Sequence, residues 1–178
     1  MKSLKSYIQE KLIIKKNKVT NYKYFPETKE ELQDIVLQRI ETEGNEVDLN
    51  DIDVSNITDM SGLFYNYENF NGDISKWDVS NVTDMRAMFD WCKKFNQDIS
   101  NWDVSNVNDM RNMFYKCKSF NQDISSWDVS NVTDMNYMFD KCKSFNQDIS
   151  DWNVSNVTNT GYIFTNCPIE EKHKPKFK

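Results

Sequence analysis

The chain has 178 residues, enough for one domain with a real core, and 38% are hydrophobic with 13% aromatic. No apolar run approaches the roughly 18 residues of a membrane span, the longest patch being Leu12-Ile13-Ile14, so membrane insertion is not expected. A net charge of -6 sets the chain against nucleic-acid phosphates, whose recognition relies on a basic footprint.

In chain order, residues 1 to 23 carry seven Lys against one Glu, and residues 24 to 50 carry eight acids against Lys29 and Arg39. The start, MKSLKSYIQEKLIIKK, lacks the apolar core and small-residue cleavage site of a secretory signal, so the expectation is an unexported chain, intracellular or virion-associated. Ser3 followed by Leu4, Tyr7, Ile8 and Leu12 predicts a short amphipathic helix. Thr28 with Glu31 three positions on makes a capping box, and Leu32, Ile35, Val36 and Ile40 come after it at helical spacing. With Pro26 before and Gly44 after, this predicts a helix at about residues 28–43 whose apolar stripe covers the open end of the first repeat. Residues 1–50 are thus expected to form a non-repeating helical cap.

From Phe70 onward nearly the same 25 residues recur, with an echo upstream to Ile52, and Trp77 returns as Trp102, Trp127 and Trp152. Self-similarity at this period predicts a stack in which each unit buries its apolar face on a copy of itself. Within a unit, Ile74, Trp77 and Val79 place Trp and Val on one side of a short extended segment, which reads as a strand. Ser80-Asn81 then offers an N-cap. Val82, Met85, Met88, Phe89 and Cys92 fall at i, i+3, i+6, i+7 and i+10, which reads as a helix of two to three turns. The Phe95-Asn96-Gln97-Asp98 stretch turns back to the next strand. Asn81, Asn106, Asn131 and Asn156 are expected to satisfy backbone groups at the bends.

The unit F-N-Q-D-I-S-x-W-D-V-S-N-V-T-D-M-x-x-M-F-x-x-C resembles the BspA-type leucine-rich repeat, also called the bacterial surface protein repeat, over residues 51–167. I-x-x-W-x-V stands where leucine-rich repeats carry L-x-x-L-x-L, although the asparagine, Asn81, comes one place early. The resemblance implies a right-handed solenoid used for adhesion and protein contacts, often on cell-surface proteins. KYFPETKEELQDI looks similar to leaders on unexported members from gut bacteria and their phages. The expected fold class is therefore α/β: a leucine-rich-repeat-like solenoid of about five strand-helix coils with a helical N-terminal cap. Residues 168–178 are read as a basic tail that frays after Cys167.

Chemistry-bearing groups are sparse. Cys92, Cys117, Cys142 and Cys167 form a line, whereas a tetrahedral metal site needs ligands converging on a point, so they are read as small buried residues. Aspartates form three columns: Asp78, Asp103 and Asp128 on the strand, Asp84, Asp109 and Asp134 opening the helix, and Asp73, Asp98, Asp123 and Asp148 in the turn. The last two sets fit helix-dipole and backbone capping. The strand set is harder to explain, because close like charges repel unless donors or cations intervene. The glycine-rich nonapeptides of calcium-binding rolls are absent, and no metal or other cofactor is expected. His173, the single histidine, lies in the tail, so no catalytic residue is assigned and no enzyme is expected. Asn-Val-Thr at 81, 131 and 156 matches glycosylation acceptors but comes with the repeat.

Positions that vary between units mark the surface. Trp, Tyr and Arg are the types that make interface hot spots, which selects Arg86, Trp91, Arg111, Tyr115, Tyr137 and Tyr162 as partner-binding candidates. The expected function is non-enzymatic binding of another protein. The alternative is a structural, assembly or adhesion component of a phage or cell surface that packs through its flat ends.

Overall fold

The computed structural model describes residues 21–177; the expected helix around Ser3 to Leu12 lies outside them. The first element is α1, Lys29–Glu43. Thr28 caps it by accepting from the Glu31 N–H at 3.2 Å, and Gly44, at φ +91°, closes it by donating to Ile40 O at 2.9 Å. Its stripe of Leu32, Ile35 and Val36 is buried on the first coil. Arg39, also buried, fastens the helix: its guanidinium bonds Glu43, Asp51 Oδ1 at 2.7 Å and Asp48 O at 2.8 Å, and lies over the Tyr24 ring. The chain after the helix runs so close to the first coil that a Cβ on Gly72 would meet Val47 O at 2.6 Å, which excludes the Gln found at this place in later units.

Beyond α1 the coils are built from turns. Among the described residues there is one α-helix, one short 3-10 turn at Glu171–His173, and no strand, only isolated parallel bridges such as Asp59 to Asp84 and Asp84 to Asp109. The expected α/β leucine-rich-repeat-like solenoid of strand-helix coils is therefore overturned on both elements. In place of the strand, Trp77 N bonds Ile74 O and Val82 N bonds Val79 O, two tight turns that use up the extended stretch. In place of the helix, every fourth residue is left-handed: Ala87 at φ +55° and Trp91 at +65°, then Asn112, Lys116, Tyr137, Lys141, Tyr162 and Asn166 at the equivalent places. Such residues end a right-handed helix. They also aim their N–H groups along the stack: Ala87 N reaches Arg111 O at 2.8 Å and Trp91 N reaches Tyr115 O at 2.8 Å, while Met88, Asp90 and Cys92 close i to i+3 turns within the coil. Donors that a helix would satisfy internally thus bind the neighbouring coil.

Like residues stack on like through the core. Phe64, Phe89, Phe114, Phe139 and Phe164 lie 5.5–5.8 Å apart, centroid to centroid, and Phe70, Phe95, Phe120 and Phe145 form a second file at 5.9–6.0 Å. The two files touch within each coil at 4.0–4.2 Å. Trp77, Trp102, Trp127 and Trp152 are only 3–5% exposed. Each indole N–H donates one coil back, to Leu49, Ile74, Ile99 and Ile124 O respectively. The tail closes the other end rather than fraying: Ile169 and Pro175 are buried, Phe177 packs on the core, and His173 O accepts from Ile149 N at 3.0 Å.

Candidate functional site

The columns singled out for chemistry serve the scaffold. Cys92, Cys117 and Cys142 are buried free thiols whose S–H groups donate to Phe64, Phe89 and Phe114 O at 2.8–2.9 Å, and burial pushes their pKa values up. Asp78 and Asp103 each accept both the N–H and the hydroxyl of the serine two residues on, and Asp128 accepts the Ser130 N–H. These donors are what lets like charges stand one coil apart. They hold Asp103 and Asp128 below the usual carboxylate range. Asp73, Asp98, Asp123 and Asp148 repeat the device with Ser75, Ser100, Ser125 and Ser150. Asn81, Asn106, Asn131 and Asn156 donate their side-chain amides to Ser55, Ser80, Ser105 and Ser130 O, so the glycosylation-like asparagines are already bonded within the stack. His173 meets Asn146 Oδ1 at 3.2 Å. Among the described residues no group of His, Cys, Asp or Glu could hold a metal ion, and no helix is long and apolar enough to cross a membrane.

The surface feature that remains is a strip of aromatics and lysines. The left-handed positions turn Trp91, Lys116, Lys141 and Asn166 outward in one file, one per coil, and Tyr137 and Tyr162 in another. Lys116 Nζ sits 3.4 Å above the Trp91 ring and 4.6 Å from the Tyr115 ring. Lys141 Nζ lies over the same Tyr115 and donates to its hydroxyl at 3.2 Å. Tyr115 meets Tyr137 edge-on at 6.3 Å, and Tyr137 stacks on Tyr162 at 5.0 Å. Tyr162, at 63% exposed, is open to solvent. Beside the strip runs a shallow groove of about 370 Å³ lined by Trp91, Asn166 and five lysines, Lys93, Lys116, Lys118, Lys141 and Lys143.

Four of the six sequence candidates, Trp91, Tyr115, Tyr137 and Tyr162, are joined in this strip. Arg86 and Arg111 belong to a different feature, an ionic file. Arg111 pairs with Asp109 at 2.7 Å and reaches Asp134 at 3.6 Å, and Arg86 lies 3.7 Å from Asp84. The basic groove was missed in the sequence because net charge averages it away in an acidic chain. The signal is visible only column by column, as Lys93, Lys118 and Lys143 at one place in three units.

A model of the family described as "Mycoplasma protein of unknown function, DUF285" matches residues 31–127 and, overlapping them, 99–174. No curated protein and no solved structure matches the chain.

Proposed function

We propose that this chain, which belongs to the DUF285 family of Mycoplasma proteins of unknown function, is a non-enzymatic module that binds another protein through its side. The observation that carries the reading is the connected strip of Trp91, Tyr115, Tyr137 and Tyr162, exposed or half-buried on a scaffold whose backbone is bonded coil to coil. Large aromatics on a rigid frame lose little entropy on binding, which is why they serve as anchors. The likeness of the repeat motif to BspA-type repeats, used for adhesion and protein contacts, supports the same reading. Packing through flat ends has less support, since α1 covers one end and residues 168–177 the other.

The test compares proteins captured from source cells by the native chain, by a Trp91→Ala/Tyr115→Ala/Tyr162→Ala variant, and by a control with Lys76→Ala and Asp151→Ala. Capture lost in the strip variant and kept in the control is expected. Equal capture by all three, with the variants folded by circular dichroism, rejects the reading.

A further inference from the structure

We infer that the lysine-lined groove beside the aromatic strip is a docking site for a short, extended, acidic peptide segment of the partner. The inference rests on the protein-binding reading and adds the partner's chemistry. Five lysines face one groove in a chain of net charge -6, and no carboxylate lines it. Lys93 is paired with Glu68 at 2.6 Å, and Lys141 lies 3.8 Å from Asp140. Among the described residues Lys116, Lys118 and Lys143 meet no carboxylate within ion-pair distance. Lys118 and Lys143 are exposed. Lys116 and Lys141 rest on aromatic rings and Lys143 donates to Asn166 O at 3.2 Å, but the column of Lys93, Lys118 and Lys143 repeats like charge in three successive units, a repulsion that a shared anion relieves.

The length and surroundings of the groove select the class of anion. It spans four coils, from Trp91 to Asn166. At about 4.8 Å per coil that is about 15 Å, which an extended chain covers with about five residues at ~3.3 Å each. Glu68, paired with Lys93, stands at one end of the groove. A long polyanion such as nucleic acid gains its affinity from many successive phosphates, more than the lysines of this short groove can meet, and would run into Glu68 on leaving one end. A short acidic segment fits within the groove. The lysine stems supply apolar surface for the peptide's own stems, and the ammonium groups supply charge and register.

The experiment uses the full chain and three probes of equal length and label: hexaglutamate, hexalysine and a six-nucleotide thymidine oligomer. Binding is followed by anisotropy at low and high salt for the native chain and for Lys118→Glu/Lys143→Glu, whose side chains are exposed. Expected is hexaglutamate uptake that weakens at least about tenfold in the variant and with added salt, with hexalysine not bound. No uptake by the native chain, or uptake unchanged by the charge reversal, overturns the inference. Tighter binding of the oligonucleotide overturns it in favour of a nucleic acid. Salt-sensitive self-association lost on the same reversal, without peptide uptake, assigns the groove to the acidic face of a second copy and also overturns it. If the inference fails while the strip variant still loses its captured proteins, the protein-binding reading stands and only the partner's chemistry falls.

Discussion

Asp90 shows how one side chain can work against the stack that holds it. It is 5% exposed, its Oδ1 has no hydrogen-bond partner among the described residues, and burial pushes its carboxyl pKa up to about 6, against the Asn112 side chain and Lys116, which favour the charged form. An unfolded aspartate titrates near about 3.9, so between about pH 4 and pH 6 the folded state binds more protons and its stability falls as pH rises. The full penalty is present above pH 6 and absent below pH 4. A rise of this size corresponds to at most about 3 kcal/mol. Asp90→Asn is therefore expected to stabilise the chain by about 1–2 kcal/mol at pH 7 and by almost nothing at pH 4, in urea denaturation at both values. An equal gain at both would place the effect in packing. The serine-bonded Asp98, Asp103, Asp123 and Asp128 have the opposite sign: their lowered pKa values mean that stability they add above pH 4 is lost as pH falls through those values.

At the scale of elements, α1 is held on the stack by apolar burial and by one buried guanidinium. Burial opposes the charge on Arg39, but Glu43 and Asp51 raise its pKa, and Arg39 with Lys23 lowers that of Asp51. Removing one partner of such a pair leaves the other buried and unpaired, which costs about 3–5 kcal/mol. Arg39→Met is expected to fall near about 3 kcal/mol, because Glu43 is half exposed, and to loosen α1 before the coils. Hydrogen exchange should show α1 amides losing protection while those of residues 85–142 keep theirs. Adding Asp51→Asn should recover part of the loss; if it does not, the charge argument is wrong and the stem's packing is what counts.

The whole molecule is one repeated contact. Each coil touches only the coils beside it, so stability is a sum of coil and interface contributions, and a unit can leave without breaking the pattern. Deleting residues 96–120 joins Phe95 to Asn121, a junction of the same kind as Phe120 to Asn121. The shortened chain is expected to fold cooperatively with a Tm lower by on the order of 5–10 °C, followed by circular dichroism on heating. An unfolded product would mean that the ends are matched across the full length rather than from neighbour to neighbour.

The 25-residue period, the inward columns of Trp, Phe, Met, Val and Cys, and the Thr28 cap of α1 were all legible in the residues, because they are statements about which side chains must leave water. What the coils are made of was not. Met85, Met88, Phe89 and Cys92 have helical spacing, and a helix and a ribbon of turns with a left-handed residue at every fourth place bury the same positions. The two differ in where the N–H groups go, and the partner of Trp91 N is Tyr115 O, 24 residues away, which no local pattern registers. Tertiary structure alone decided that, and with it the lysine groove, since both depend on how adjacent coils bond to one another.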